Sequence, residues 1–167
     1  FVDSLPMIVV SGQVKRETMA AAAPPPLRQL GDQEVDIVAM ARPVTKYAVC
    51  VTDPVSIRYH LERALHEAVT GRPGPVWLDI PVDVQAIMID EAALAGFQPA
   101  PSVPAPLAGA ALDAAVATIA ARLARAERPV IYAGAGVRLS GAAANFVQLV
   151  ERLGVPVVSG FNAHDLV

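Results

Sequence analysis

The sequence predicts an α/β protein of parallel sheets in three layers, with one partial domain joined through a proline-rich linker to the start of a second. Two patterns and one break carry that expectation. Short apolar, β-rich runs alternate with stretches of helical periodicity, the order that builds parallel sheets with crossover helices. The runs are apolar on successive residues, which suits strands covered on both faces. The alternation is interrupted once, over residues 90–107, where periodicity vanishes and Pro99, Pro101, Pro104 and Pro106 recur.

MIVVSG, residues 7–12, reads as the first buried strand, ended by Ser-Gly. Residues 13–34 read as a long loop. Its Pro24, Pro25 and Pro26 exclude a helix and favour an extended path, leaving Ala20 to Ala23 at most one turn. A loop of this length in a compact domain is either functional or disordered. GDQEVDIVAMARP, residues 31–43, predicts a short helix with Val35, Val38 and Met40 on its apolar side and Pro43 as its stop. A second strand follows over residues 47–51.

The clearest helix is DPVSIRYHLERALHEAVTG, residues 53–71. Asp53 is placed to cap it, Pro54 suits its first turn, Ile57, Leu61, Leu65 and Ala68 recur at helical spacing, and Gly71 ends it. GPVWLDIP is the third strand, so strand, helix and strand make a parallel crossover. Pro81 then opens the exit towards the linker.

Beyond the linker, ALDAAVATIAARLARAERP, residues 111–129, predicts an alanine-rich helix with Leu112, Val116, Ile119 and Leu123 on one face. PVIYAGAG runs from a strand into a glycine turn, Ser140 is placed to cap a helix to Gly154, and VPVVSG is a further strand. This is the start of a Rossmann-like domain.

Totals narrow the function classes. The chain is 54% hydrophobic with no apolar run near the roughly 20 residues that cross a bilayer, so no membrane span is expected. A net charge of -3 with scattered Lys and Arg offers no basic stripe for nucleic acid. The single cysteine, Cys50, lies in an apolar run without a nearby His and reads as structural rather than reactive, consistent with a reducing, cytoplasmic setting. The chain starts without an initiator Met and stops just past a strand-like run, as a piece of a longer protein would.

Local chemistry is muted. Gly134, Ala135 and Gly136 join a strand to a helix, where bare amides can meet a phosphate, yet the dinucleotide fingerprint asks for Gly where Leu139 stands. His60 and His66 are six apart, do not share a helix face as ligands spaced by four do, and read as surface positions. His164 and Asp165 follow a strand, where α/β loops carry ligands, but a His-Asp pair alone names no reaction. Asp32, Glu34, Asp36, Asp79 and Asp83 default to solvated or capping roles.

Four motifs in order, DSLPMIVVSGQV, LGDQEVDIVAMARPVTKY, GRPGPVWLDIPVDVQ and RPVIYAGAGV, resemble the thiamine diphosphate-dependent enzymes of the acetolactate synthase type. The resemblance implies three successive domains. Residues 1–89 correspond to the C-terminal half of the pyrimidine-binding domain, 90–107 to the interdomain linker and 108–167 to the start of the central domain. It places the catalytic glutamate upstream of this chain and the Gly-Asp-Gly element for Mg²⁺ and diphosphate downstream, so no catalytic residue or metal ligand is expected here and the piece alone is expected to be inactive.

For the whole enzyme it implies thiamine diphosphate, Mg²⁺, a 2-keto acid substrate, decarboxylation or carboligation, and a homodimer or homotetramer with FAD as a further cofactor. Gln33 matches the glutamine beside the cofactor, and Gly12, Gln13 and Val14 match the strand-end turn lining the same cleft. Arg72 and Gly134, Ala135 and Gly136 match positions that contact FAD. Asp32 stands where those enzymes usually carry phenylalanine, and Val82 where they carry a substrate-side lysine. GQVKRET, RQLGDQE and NAHD look more like an acetolactate synthase-like subgroup associated with polysaccharide biosynthesis than like the enzymes of branched-chain amino acid biosynthesis. A rival reading is a noncatalytic module that binds FAD or ADP or serves as a subunit interface.

Overall fold

The computed structural model describes residues 1–22, 27–100 and 107–166. The expectations placed on Ala23, on Pro24 to Pro26, and on Pro101, Pro104 and Pro106 lie outside them. The chain divides into two compact units, Phe1–Ser102 and Val103–Val167. Each is α/β with a parallel sheet.

In the first unit, β1 (Met7–Gln13), β2 (Tyr47–Cys50) and β3 (Pro75–Pro81) form a three-stranded sheet in the order β1-β3-β2. Both pairings are parallel, with Ser11 and Cys50 each in register with Asp79 and Gln13 with Pro81. Pro75 and Pro81 occupy the two ends of β3, where a missing amide costs the ladder least. The third strand in sequence is therefore the middle one in space. Val76 and Leu78 are fully buried with Ala64 and Ala68 of α2 (Ile57–Val69), flanked by Tyr47 and Val49.

Why α2 begins and ends where it does follows from its caps. Asp53 accepts the Val55 amide at 3.2 Å and opens a 3₁₀ turn, Pro54–Ser56, that leads into α2. At the other end the Lys46 ammonium reaches the carbonyls of Glu67 and Thr70, covering acceptors that the last turn leaves open. Gly71 follows with φ +64°, a left-handed value that glycine tolerates best.

Several expectations are corrected here. The face of α2 on the sheet is Ala64 and Ala68, while Leu61 and Leu65 are exposed; small residues let the helix lie close to Val76 and Leu78. Helix α1 is only Ile37–Ala41, capped by Asp36 accepting from Ala39 N at 2.9 Å. It buries Ala41 and leaves Val35 and Met40 exposed, and Pro43 sits within a following 3₁₀ turn, Arg42–Val44, whose fixed φ it suits. Met7, Ile8 and Val10 of β1, one of the two edge strands of the described sheet, are exposed rather than buried.

Beyond Pro81 the exit from β3 is helical: α3 (Val82–Gln85) follows at once, and Glu91–Ala93 makes a 3₁₀ turn capped by Asp90. The start of the linker packs on α2. Phe97 packs edge-on against Tyr59 and beside His66, and its amide donates to Glu62 at 2.7 Å.

The second unit holds α4 (Gly109–Arg125), β4 (Ile131–Ala133), α5 (Gly136–Leu139), α6 (Ala143–Leu153) and β5 (Val157–Ser159), with β4 and β5 parallel. Ala133, Ala163 and Leu166 form its small core with Val137, Phe146 and Val157 around them. On α4 the predicted apolar face is present but uncovered: Leu112, Val116 and Ile119 are exposed. Ser140 does not cap α6; its hydroxyl donates back to Val137 O at 2.9 Å, closing α5, and the break between the two helices falls at Gly141, φ +72°. Gly154, at φ +60°, ends α6 as expected.

Candidate functional site

The carboxyl edge of a parallel sheet is where ligands settle in open α/β folds, because the loops leaving the strands converge there. In the first unit that edge is organised by a buried polar network. Side chains two apart share a strand face, so Ser11 and Gln13 on β1 stand beside Trp77 and Asp79 on β3. Asp79 is 1% exposed. It accepts from Ser11 Oγ at 2.6 Å and from Gln13 Nε2 at 2.9 Å, while Trp77 Nε1 donates to Ser11 Oγ at 2.8 Å. A carboxylate can be buried only when such donors replace water. The solvated role expected for Asp79 is thus corrected.

Gln13, also buried, uses its whole amide on the protein. Besides Asp79, Nε2 donates to Val35 O at 2.8 Å, and Oε1 accepts from Val14 N at 3.0 Å. Its role at the edge is to fix the segment around Val35.

A second tie joins all three strand exits. Arg16, just past β1, donates from Nε to Asp83 Oδ2 at 2.6 Å, from its backbone amide to Asp83 Oδ1 at 3.1 Å, and from its guanidinium to Thr52 O at 2.9 Å. The Arg16 bond holds the Asp83 carboxyl below its ordinary range, against a smaller opposing effect of burial. Lys15, Arg16, Glu17 and Asp83 line a cleft of about 410 Å³ here.

Gln33 stands two residues before the anchored Val35. It is exposed, and its φ is +65°, a left-handed conformation that costs a residue with a Cβ roughly 1–2 kcal/mol. It occupies the third position of a turn closed by Glu34 N donating to Gly31 O at 3.3 Å, where Gly or Asn is preferred. Gly31 itself is required by space: a Cβ would lie 2.9 Å from Thr18 O and 3.0 Å from Val14 Cγ2. At Gly12, a Cβ would meet Gln85 Nε2 at an ordinary 3.4 Å.

The structure therefore gathers Gly12, Gln13, Val14 and Gln33 at one edge. Arg72 is at the other: it precedes β3, and its Nε donates to Ser4 Oγ at 2.6 Å, before β1 begins. Seven-residue strands separate the two ends by about 20 Å.

In the second unit, Gly134, Ala135 and Gly136 leave the carboxyl end of β4. Added Cβ atoms at Gly134 and Gly136 would meet nothing within 4 Å, so the fold of the unit does not demand glycine there. Asp165 pairs with Arg138, and His164 Nδ1 lies 3.1 Å from Phe161 O.

Away from the edge, His60 corrects the surface assignment: it is half-buried, with Nδ1 2.6 Å from Tyr47 Oη. Burial first, then Arg63, lowers its pKa. Burial first, then Asp79, raises the Cys50 thiol to about 11, which leaves it protonated and unreactive at neutral pH. Among the described residues no group of three or more His, Cys, Asp or Glu is placed to hold a metal ion, and no helix is long and apolar enough to cross a membrane.

Parallel sheets in two α/β units, with polar residues anchored at the strand exits of the first, define the class: an α/β protein of parallel sheets. Comparison with known proteins narrows it. Residues 116–167 match the family model for the thiamine pyrophosphate enzyme, central domain. Glyoxylate carboligase of Escherichia coli O157:H7 is 38% identical over 157 residues, covering 93% of this chain and 24% of that protein. The acetolactate synthase large subunit of Corynebacterium glutamicum is 37% identical over 162 residues, covering 94% and 23%. That of Lactococcus lactis subsp. lactis is 32% identical over 162 residues, covering 95% and 26%. The chain spans about a quarter of the length of the curated relatives it matches. The resemblance read from the four motifs is borne out: the chain is acetolactate synthase-like, within the thiamine diphosphate-dependent enzymes.

Proposed function

We propose that the chain forms one wall of the cofactor cleft, and the start of the central domain, in a cytoplasmic thiamine diphosphate- and Mg²⁺-dependent enzyme that decarboxylates or carboligates a short 2-keto acid. The observation that carries this reading is the placement of Gln33. The Asp79–Gln13–Val35 network pins the segment following it to the carboxyl edge of the sheet, and its own side chain stays exposed in a left-handed turn. Backbone held in a costly conformation concentrates at ligand sites.

Thiamine diphosphate, when bound, supplies the electron sink for decarboxylation. Gly12, Val14 and Gln33 are the residues we assign to it, with Gln13 holding the edge in place. The match to relatives named for glyoxylate carboligation and acetolactate synthesis frames the substrate as a small 2-keto acid. Val82, exposed at the same edge, offers no positive charge to the substrate carboxylate, which favours a subgroup with its own acceptor over pyruvate condensation.

We assign residues 1–89 to the pyrimidine-binding domain, 90–107 to the linker and 108–167 to the central domain. FAD contact at Gly134, Ala135 and Gly136, with Arg72, is supported by glycines whose missing side chains leave open space. A homodimer or homotetramer completes the reading.

Calorimetric titration of the full-length protein with thiamine diphosphate and Mg²⁺, followed by turnover of glyoxylate, pyruvate and longer 2-keto acids, tests the proposal. Saturable binding that Gln33→Ala weakens, with carbon dioxide released from one of these acids, is expected. Absence of thiamine diphosphate binding would overturn it.

A further inference from the structure

We propose that Glu34 is a positioning residue for Gln33, its carboxylate clasping three backbone amides and so holding the turn that presents Gln33 at the sheet edge. The inference rests on the reading of Gln33 as cofactor-facing.

The geometry is specific. Oε1 accepts from Ala20 N at 2.6 Å; Oε2 accepts from Leu30 N at 3.0 Å and Gly31 N at 3.1 Å. Two stretches ten residues apart in sequence thus meet on one side chain. Three N–H donors around an acceptor-only group form a charge-assisted clasp, and the bonds from Leu30 and Ala20 hold the Glu34 carboxyl below its ordinary range.

Position matters as much as number. Glu34 is the last residue of the turn in which Gln33 is left-handed, and its own amide closes that turn on Gly31 O at 3.3 Å. One residue further, Val35 O accepts from the buried Gln13 at 2.8 Å. Gln33 is therefore bracketed by the clasp on Gly31 before it and by the Gln13 bond after it. Without the clasp, the long Glu34 N to Gly31 O bond and the Gln13 bond to Val35 O are what remain to hold residue 33 away from the commoner right-handed or extended backbone. Only a carboxylate fits: glutamine would turn one of its two accepting atoms into a donor facing an N–H.

The test is a double-mutant cycle in the full-length protein with Gln33→Ala, Glu34→Gln and both together. It reads the dissociation constant of thiamine diphosphate in Mg²⁺ and, separately, hydrogen exchange at the amides of residues 20, 30 and 31. Glu34→Gln is expected to accelerate that exchange and to weaken the cofactor about tenfold, while adding little once Gln33 is alanine, since residues that act through one another couple. Glu34→Asp, which keeps the charge on a shorter arm, should retain part of the affinity, and it replaces Glu34→Gln if that variant does not fold.

Multiplying effects of the two substitutions, or faster exchange with unchanged affinity, would overturn the proposal while leaving the cofactor reading intact. Unchanged affinity in Gln33→Ala would overturn the cofactor reading itself, and the positioning role with it.

Discussion

Asp79→Ala removes the one carboxylate on which the β1 and β3 side chains converge. Two hydrogen bonds are lost, from Ser11 Oγ and Gln13 Nε2. A bond to an ionised acceptor contributes about 1.5–3 kcal/mol. Ser11 still accepts from Trp77 and Gln13 still donates one N–H to Val35 O, but the Ser11 hydroxyl and the other Gln13 N–H are left without an acceptor. The expected loss is about 3–5 kcal/mol, near the total stability of many domains.

Asp79→Asn keeps the shape and one accepting oxygen, and should cost about half as much, 1–3 kcal/mol. Urea unfolding followed by the fluorescence of Trp77, the single tryptophan of the chain, measures both and also reports directly on the network, since the indole donates into it. A cost below about 1 kcal/mol for Asp79→Ala, the size seen for exposed side chains, would refute the closed network and free Gln13 from the role assigned to it.

Gly31→Ala drives a methyl group against Thr18 O and Val14 Cγ2, and overpacking of this kind should cost about 1–3 kcal/mol in the same unfolding assay. For His60 the folded pKa is lowered, so the fold prefers the neutral ring. Its contribution is complete above the unfolded value of about 6.5 and declines as pH falls below that towards the folded value; His60→Gln should flatten thermal stability across that window. Asp83 is also lowered, so its contribution from Arg16 is present above the ordinary carboxylate value of about 4 and is lost as pH falls through the folded value. Arg16→Met should make acid unfolding below the ordinary carboxylate value of about 4 less steep.

Much of the scaffold was legible because its signals are local. Asp53, Pro54 and Gly71 bracket a helix by rules that act within one turn, and β-rich runs on either side of it imply a parallel pair. What the pattern mispredicted was which residues near one helix face are covered: Ala68 of the predicted set is buried, with Ala64, while Leu61 and Leu65 are exposed. Leu61 and Leu65 outweigh Ala64 and Ala68 in hydrophobicity, yet close approach to Val76 and Leu78 selects the small residues, and that choice depends on partners distant in sequence. The edge of the sheet was legible only through resemblance, which pointed to Gly12, Gln13, Val14 and Gln33. Asp79 and Glu34 were missed because a lone carboxylate gives no sequence signal of its donors: backbone amides and a glutamine 66 residues away leave no spacing rule. The positive φ of Gln33 was hidden for the same reason, since left-handed turns are read from glycine and asparagine.

The order β1-β3-β2 has a consequence for how the protein comes into being. A ribosome makes β1 and β2 long before the strand that lies between them, and of the strands described neither has its partner until residues 75–81 have emerged. Until then two apolar segments wait in the tunnel mouth with only transient company, and a nascent chain in that state is open to chaperones and to pairing with its neighbours on a polysome. Slowing translation at the point where residues 75–81 have cleared the exit tunnel, with synonymous codons that leave every residue untouched, would give the sheet time to close before more chain arrives.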